Sequence, residues 1–411
     1  MLRKRIWASL CSLLLVLGLV FGPAAGAIAF TDEQNLLLQA WRYVSQSYVD
    51  ETFNDQNWWI IRQKFLKRPL KTREEAYDAI TEMLALLDDP YTRLLRPEQY
   101  RSLKVSTSGE LSGVGLQINV NPDTDVLEVI LPLPGSPAEA AGIEAKDQIL
   151  AIDGIETQKI GLDEAAARMR GKKGSVVSLT VKSAKSDDVR TVKVTRDTIA
   201  LNPVYAKLDE KNGEKVGYIR LNQFSANATT EISKSLDKLQ RQGADSYILD
   251  LRNNPGGLLQ AGIEIARLWL DQETIVYTVN REGISESYGA VGHPATTAPL
   301  VVLVNQATAS ASEILAGALQ DNGRALLVGE KTFGKGLIQS LFELPDGAGM
   351  AVTVAKYETP LHHDINKLGI MPDETVPQDP IPYRMMGTDL DLQYQTALDL
   401  LTQPQTVARA S

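Results

Sequence analysis

The chain has 411 residues, of which 44% are hydrophobic and 23% are charged, the ordinary balance of a soluble globular protein with two or three domains. Its formal net charge of −9 gives little support to nucleic-acid binding, because proteins that grip the phosphate backbone carry basic patches. The single cysteine, Cys11, has no partner for a disulfide.

Residues 1–29 have the pattern of a secretory signal peptide. A basic head, Arg3-Lys4-Arg5, precedes an apolar run from Ile6 to Val20, and Ala27-Ile28-Ala29 is typical of a cleavage site. The apolar run is short for a membrane span, and an uncleaved anchor is the alternative. Cleavage would remove three positive charges and no acid, so the net charge of −9 would become −12, and it would also remove Cys11. The exported chain would then lack a cysteine nucleophile or thiolate ligand.

Residues 30–105 are predicted to form an N-terminal helical region. Leu37, Trp41, Val44 and Tyr48 recur at spacings of four, three and four, which places them on one helix face. Thr72-Arg73-Glu74-Glu75 is a capping box, so a second helix begins there, and Asp88-Asp89-Pro90 marks its end. This region is interpreted as a packing module without chemistry.

Residues 106–198 resemble a PDZ domain. The resemblance lies in Gly135–Ile143, which reads GSPAEAAGI, followed by Asp147–Gly154, which reads DQILAIDG. Strands are predicted at Leu127–Ile130, Ser175–Val181 and Val189–Thr195, and a helix at Leu162–Arg170. The resemblance implies an α+β domain that binds the carboxyl terminus of a peptide by strand addition.

The glycine turn Gly113-Val114-Gly115-Leu116 is the candidate peptide-binding loop. In PDZ domains the amides of this loop receive the terminal carboxylate, and glycines leave such amides exposed and able to converge on an anion. The alternative is that Gly113 and Gly115 only permit a bulge in the strand.

Residues 199–385 are predicted to be an α/β core. Apolar strand candidates alternate with helical stretches, which indicates this class. The strand candidates are Val216–Leu221, Tyr247–Leu251, Leu300–Val304 and Leu326–Val328; the helical stretches are Glu231–Gln240, Leu258–Leu270 and Glu313–Gln320. Residues 386–411 are predicted to hold a closing helix, Asp389–Thr402, and a frayed tail.

Two kinds of chemistry are disfavoured. The three histidines, His293, His362 and His363, lack the HExxH spacing of a zinc protease and the context of a Ser-His-Asp triad, so no metal site is predicted. Residues 329–336, GEKTFGKG, nearly match a phosphate-binding P-loop. The match fails because Gly336 stands where Ser or Thr must hold magnesium, and because a strand is predicted to follow instead of a helix.

Ser310 and Lys335 suggest a nucleophile and its base. Ser310 comes at the mouth of a predicted helix, and Lys335 stands between two glycines. A lysine accepts a proton only when neutral, so a site that uses it must lower its pKa from about 10.4, which burial does. Residues that could form an apolar wall around the amine are Phe333, Leu337 and Ile338.

Amides at two helix starts could stabilise an oxyanion. One source is the start of the helix after Ser310. The other is Arg252–Gly257, RNNPGG, which follows a strand and precedes a helix. An ordinary turn is the alternative for the second segment.

Taken together, these motifs make the chain similar to the carboxyl-terminal processing peptidases, serine proteases with a Ser–Lys pair. The matching segments are LRNNPGG, TASASEILAGALQDN, GEKTFGKGLIQS and YETP, in the family's order. The resemblance implies that Ser310 is the nucleophile and Lys335 the general base. It further implies that Gln339 orients the lysine and that Gly256 and Ala311 provide the oxyanion amides.

Two acidic residues join this set of candidate catalytic residues. Asp321 matches a position that the family groups with its catalytic residues, although about three helical turns separate it from Ser310. Glu313 is one turn from Ser310 and could assist. No metal or organic cofactor is expected.

The opening FTDEQNLLLQAWRYV and the segment YETPLHHDINKLGIMPD resemble the photosynthetic branch of the family. The implied partner is the carboxyl-terminal tail of the photosystem II reaction-centre D1 precursor, trimmed before the manganese cluster assembles. The implied location is the thylakoid lumen, peripheral to the membrane at most. The alternatives are a general tail-specific protease of the periplasm and a non-catalytic PDZ scaffold.

Overall fold

The computed structural model describes residues 30–121, 126–186, 188–283 and 285–402. The predicted signal peptide and the tail after Thr402 lie outside the described residues. No helix in the described ranges is both long enough and apolar enough to cross a membrane. The chain forms two compact units, one of the described residues up to Leu94 with Leu341–Val352, the other of Leu95–Ser340 with the residues from Thr353 onward.

The first unit is built on three helices: α1 (Asp32–Ser47), α2 (Trp58–Leu66) and α3 (Arg73–Ala85). The predicted capping box at the start of α3 is confirmed. The Glu75 amide donates to the Thr72 hydroxyl at 3.2 Å, and the Glu75 carboxylate accepts from the Thr72 amide at 3.3 Å. Leu37 of α1 and Ile80 of α3 are fully buried, as the helical spacing predicted.

The PDZ-like part of the second unit is an antiparallel sheet with two helices. Its strand order is β3-β4-β5-β7-β8, with β6 beside β5, and a separate pair joins β2 to β9. The short strand β1 (Arg93–Leu95) and the helix α4 (Pro97–Ser108) precede this part. Its elements are β2 (Glu110–Gly113), β3 (Leu116–Val120), β4 (Leu127–Pro132), α5 (Pro137–Ala140), β5 (Gln148–Ile152), β6 (Ile155–Glu156), α6 (Leu162–Met169), β7 (Val176–Lys182), β8 (Val189–Thr195) and β9 (Asp197–Ala200). The predicted strands are present, and so is the predicted helix, as α6; the β2–β9 pair was not predicted.

The α/β core is a six-stranded sheet in the order β10-β11-β12-β15-β16-β19. The strands β11, β12, β15, β16 and β19 run parallel, and β10 pairs antiparallel with β11. The elements are β10 (Val204–Lys211), β11 (Glu214–Leu221), α7 (Ala228–Arg241), β12 (Ser246–Asp250), α8 (Leu259–Ala266), β13 (Thr274–Asn280), β14 (Ser285–Gly289), β15 (Leu300–Val304), α9 (Ala311–Asp321), β16 (Leu326–Gly329), β17 (Leu337–Glu343), β18 (Gly349–Glu358), β19 (Glu374–Thr375) and α10 (Leu392–Thr402).

The central strands read as unbroken apolar runs because helices cover both faces of the sheet. On one face Leu249 and Val302 join the core formed with α7, α8 and α9. On the other face Ile248 and Val301 pack in a core with Leu398 of α10. The predicted fold class is therefore confirmed: a helical segment, an α+β PDZ-like domain and an α/β core.

The parallel register brings three loops to one edge of the sheet. Asp250 at the end of β12 is paired with Leu303 near the end of β15, and Leu303 is paired with Val328 near the end of β16. The segments that follow these strands contain the RNNPGG motif, Ser310 and Lys335 respectively. Ligands of open α/β sheets bind at this carboxyl edge.

The closing helix α10 begins at Leu392, three residues later than predicted. The Asp391 carboxylate accepts the Tyr394 amide at 3.2 Å, so Asp391 caps the helix instead of lying within it. The five-stranded sheet that contains β13, β14 and β18 was also not predicted.

Candidate active site

Ser310 occupies a strained position at the start of α9. Its backbone has φ 59° and ψ −120°, a region that residues with a Cβ rarely adopt. The turn is fixed on both sides, because the Ala309 amide donates to the Asn254 carbonyl at 3.1 Å and the Ser310 carbonyl accepts the Glu313 amide at 2.8 Å. A sharp, strained strand-to-helix turn is the geometry that exposes the nucleophile in other serine hydrolases.

The Glu313 carboxylate ties the serine turn to the lysine segment. One oxygen, Oε2, accepts the amides of Ser310 and Lys335, both at 2.9 Å. The other, Oε1, accepts the Thr332 hydroxyl at 2.6 Å and the Gly334 amide at 2.7 Å. The residue is 0% exposed, so four donors satisfy a fully buried carboxylate. The two backbone nitrogens of Ser310 and Lys335 therefore lie no farther apart than twice that 2.9 Å contact.

Tyr357 makes a second connection between the same two residues. Its hydroxyl lies 3.2 Å from the Ser310 carbonyl oxygen and also within hydrogen-bond distance of the Lys335 carbonyl oxygen. Its amide donates to the Gly336 carbonyl at 3.1 Å, and the side chain is 1% exposed. The strand β18 thus supports the backbone at both candidate catalytic positions.

Lys335 is partly buried in the segment between β16 and β17. Ile338 packs against the main hydrophobic core, but Phe333 is 55% exposed. The predicted apolar wall is therefore wrong for Phe333, because an aromatic ring turned to solvent does not desolvate an amine. Gln339 places its amide nitrogen 3.5 Å from the Thr353 hydroxyl.

The RNNPGG loop packs directly against Ser310. Gly256 has φ 95°, and a Cβ there would lie 2.8 Å from the Ser310 Cβ and 2.9 Å from the Ala311 amide nitrogen. Only glycine lets the two backbones approach this closely. The Gly256 amide donates to the Asn254 side chain at 2.9 Å. In the part of the chain that the structure describes, the Ala311 amide has no hydrogen-bond partner.

A buried ionic network supports this loop from behind. The Arg252 guanidinium donates to Asp250 at 2.6 Å and to Asp391 at 2.7 Å, and Tyr218 donates to Asp250 at 2.7 Å. Burial alone would lower the pKa of Arg252, but the two carboxylates raise it above its ordinary value. Burial raises the pKa of Asp391, whereas Arg252 lowers it, and the net direction is downward. Arg252 and Asp391 therefore remain charged at neutral pH.

The structure does not bring Asp321 to Ser310. Asp321 is the last residue of α9, about 16 Å along the helix axis from the serine. Its carboxylate accepts the Leu361 amide at 3.0 Å and lies 3.6 Å from Nδ1 of His363. Asp321 therefore does not contact the reacting serine, because the two residues lie at opposite ends of α9. Among the residues described, no three side chains form a metal-binding cluster.

A groove in the PDZ-like domain lies beside the predicted peptide-binding loop. Its volume is about 310 Å³, and its lining combines strand, helix and loop residues, including Val114, Gly115, Leu116 and Met169. The carbonyls of Val114 and Gly115 accept the amides of Ala138 and Leu133 at 2.9 Å, which fixes the turn. Within the described ranges, the amides of Val114 and Gly115 have no hydrogen-bond partner. The loop is chemically able to receive a carboxylate.

Sequence reasoning missed several residues that build this site. Thr332, Tyr357 and Asn254 were not singled out, although each lies in or beside a quoted motif. Each carries a hydroxyl or amide group, and such a group is buried only with a partner. The partners lie in other segments, so the sequence does not name them.

Comparisons with known proteins agree with this architecture. The family model for peptidase family S41 matches residues 215–376, and the PDZ model matches residues 102–182. The chain is 87% identical over 411 residues to a carboxyl-terminal-processing protease of Picosynechococcus, covering 100% of this chain and 99% of the relative. It is 65% identical to a protein of the same name from Synechocystis, covering 99% of this chain and 96% of the relative.

Solved structures and plant relatives extend the comparison. A photosystem II D1 C-terminal processing protease aligns with a TM-score of 0.56 and 40% identity, covering 92% of this chain and 99% of that one. A chloroplastic carboxyl-terminal-processing peptidase of Arabidopsis thaliana is 45% identical, covering 85% of this chain and 70% of the relative. The chain belongs to peptidase family S41 and is a serine peptidase of the carboxyl-terminal-processing group.

Proposed function

We propose that this peptidase removes a carboxyl-terminal extension from a protein substrate, with Ser310 as nucleophile and Lys335 as general base. The observation that carries the proposal is the shared Glu313 oxygen, which binds the amides of both residues at 2.9 Å. A single buried carboxylate thereby holds the two segments in one fixed arrangement. Positioning of this kind is a principal source of enzymatic rate enhancement.

The reaction begins with proton transfer from the Ser310 hydroxyl to the neutral Lys335 amine. The serine oxygen attacks the scissile carbonyl, and the lysine returns its proton to the leaving amine. Water, activated by the same amine, then hydrolyses the acyl-enzyme and regenerates the serine. Gln339 is the proposed orienting partner of the lysine. Glu313 and Tyr357 act as positioning residues, because their contacts are with the backbone of Ser310 and Lys335.

Two amides are proposed to stabilise the oxyanion. The Ala311 amide is at the amino-terminal end of α9, where the helix dipole favours negative charge. The Gly256 amide is adjacent, but it donates to Asn254 in the described structure. We infer that the Asn254 side chain releases this amide when a substrate carbonyl arrives.

The PDZ-like domain is proposed to select the tail. The loop Gly113–Leu116 offers two amides to the terminal carboxylate, and the groove beside it accepts the last side chains. The D1-processing relative and the cyanobacterial and chloroplastic relatives support the D1 precursor as the substrate and the thylakoid lumen as the compartment. The periplasm remains the second compartment, with a broader range of tails.

The proposal is tested with peptides that end in the D1 precursor tail, supplied with a free or an amidated carboxyl terminus. Ser310→Ala and Lys335→Ala should abolish cleavage without unfolding the chain, whereas Lys331→Ala, an exposed lysine in the same segment, should cleave normally. Amidation should raise KM more than it lowers kcat, since it removes only the carboxylate contact. Cleavage by Lys335→Ala at neutral pH, or equal turnover of the amidated peptide, would contradict the respective assignments.

A further inference from the structure

The exposed face of α2 presents two large apolar side chains to solvent. Trp59 is 55% exposed and Ile60 is 57% exposed, while Trp58, Ile61 and Phe65 of the same helix are buried. The buried face packs α2 within the first unit, and Trp59 adds ring contacts with Trp41 and Arg62 while more than half of its surface stays exposed. Adjacent exposed large apolar residues mark interaction surfaces more often than single ones do.

The segment that contains these two residues is basic. Residues 57–73 contain six basic and no acidic side chains, in a chain whose net charge is −9. Three lysines of this segment, Lys64, Lys67 and Lys71, are exposed, and within the described ranges none of them forms an ion pair with a carboxylate. Ile60, Lys64 and Lys67 follow at spacings of four and three, so they share one helix face.

The Trp59 ring is held in a defined orientation. It meets the Trp41 ring edge-on at 5.8 Å, and the Arg62 guanidinium carbon lies 4.6 Å from its centroid. In the part of the chain that the structure describes, its indole N–H has no hydrogen-bond partner. A fixed ring with an apolar body and an unused donor is typical of tryptophans at membrane–water interfaces.

We propose that the surface formed by Trp59, Ile60 and Lys64 of α2, with Lys67 and Lys71 of the segment that follows it, binds the surface of a bilayer that contains anionic lipids. The two apolar side chains insert between headgroups, and the lysines contact the negative surface, the combination that peripheral membrane helices use. The charge complementarity also argues against a second copy of the chain as the occupant. A twofold contact through this surface would place the three lysines of both copies within one interface.

This inference goes beyond the proposed peptidase function and does not depend on the catalytic residues. Its consequence is a reversible association that keeps the enzyme near membrane-bound substrates. Each lysine near an anionic surface changes the partition constant by roughly fivefold, so removal of all three should weaken binding on the order of a hundredfold. Removal of one large apolar side chain should weaken it roughly tenfold.

The test is sedimentation of the chain with vesicles of phosphatidylcholine, with and without phosphatidylglycerol. We expect binding only to the vesicles with phosphatidylglycerol, and a loss at high salt because the lysine contribution is screened. A triple variant, Lys64→Gln, Lys67→Gln and Lys71→Gln, should lose most of the binding, and Trp59→Ser should weaken it roughly tenfold. Cleavage of a soluble peptide should stay unchanged in both variants.

Matched variants distinguish a specific effect of this surface on vesicle binding from a general effect of removing charge or hydrophobic area. Lys146→Gln, Lys193→Gln and Lys238→Gln remove three exposed lysines elsewhere, and Val291→Ser removes a side chain that is 72% exposed. Both should bind like the wild type. Equal loss in these controls would overturn the proposal. So would a wild type that does not sediment with vesicles but forms dimers that Trp59→Ser dissociates, because a second copy would then occupy the surface.

Discussion

Replacing Glu313 by glutamine tests whether the buried carboxylate positions the two candidate catalytic residues. The carboxylate accepts four hydrogen bonds and donates none. A glutamine amide group keeps one acceptor oxygen and puts an NH₂ in place of the other. If the NH₂ takes the place of Oε2, it faces the amides of Ser310 and Lys335, and both bonds are lost. If it takes the place of Oε1, it faces the Gly334 amide and the Thr332 hydroxyl.

The second orientation does not rescue the site. The Thr332 hydroxyl oxygen accepts the Ile370 amide at 2.7 Å and has a second lone pair for the new NH₂, but the Gly334 amide is left facing a donor. At least one charge-assisted bond to a buried amide is lost in either case, and the first orientation loses two. At about 1.5–3 kcal/mol for each, the free energy of unfolding should fall by about 2–6 kcal/mol.

Activity should fall together with stability. A misplacement of the serine or the lysine by about 1 Å lowers the rate on the order of a hundredfold, so Glu313→Gln should lose at least that much in kcat. Urea unfolding and peptide cleavage measure the two effects, with Glu330→Gln as the control in the same segment. Wild-type kcat and stability in Glu313→Gln would refute the positioning role.

Three further predictions concern separate parts of the fold. Because Arg252 holds the pKa of Asp391 below its ordinary value, Asp391→Asn should lower the free energy of unfolding by about 3–5 kcal/mol at neutral pH. The carboxylate's contribution is lost as pH falls, so the difference measured by urea unfolding should shrink below about pH 4. Gly115→Ala should raise KM for tail peptides with little change in kcat, because the new Cβ would lie 2.4 Å from the Ser136 Cβ and displace the loop. The control Gly174→Ala, where a Cβ meets open space, should leave KM unchanged. Tyr357→Phe should lower kcat without raising KM, and a raised KM with normal kcat would argue for a role in substrate binding instead.

The order of helices and strands along the chain could be predicted because local sequence patterns specify these elements. The capping box at Thr72 and the apolar runs of β12 and β15 depend on neighbouring residues or on burial, both of which leave periodic signals. The helix start at Ser310 was equally visible as a small-residue turn before an apolar stripe. The sheet of β13, β14 and β18 was less visible, because its strands mix polar and apolar residues.

The connections within the site could not be predicted, because they join distant segments. Arg252 and Asp391 are separated by 139 positions and Tyr357 and Ser310 by 47, and no local pattern pairs them. The start of α10 was predicted three residues too early, at Asp389. The sequence does not show that Asp391 caps the helix instead of lying within it. For Glu313, proximity to Ser310 was evident, but three of its four donors depend on the fold of the segment from Thr332 to Lys335.

The central claim is that the Lys335 amine is the base that accepts the Ser310 proton. The most direct measurement is the pH dependence of kcat/KM after Lys335→Cys in a chain whose only native cysteine, Cys11, is replaced by serine. Aminoethylation of the new thiol rebuilds a lysine-like side chain whose amine has a lower pKa. Our account predicts an inactive Lys335→Cys protein, recovery of cleavage on aminoethylation, and an acid limb shifted to lower pH. Activity in the unmodified variant, or an acid limb that does not move, would contradict it.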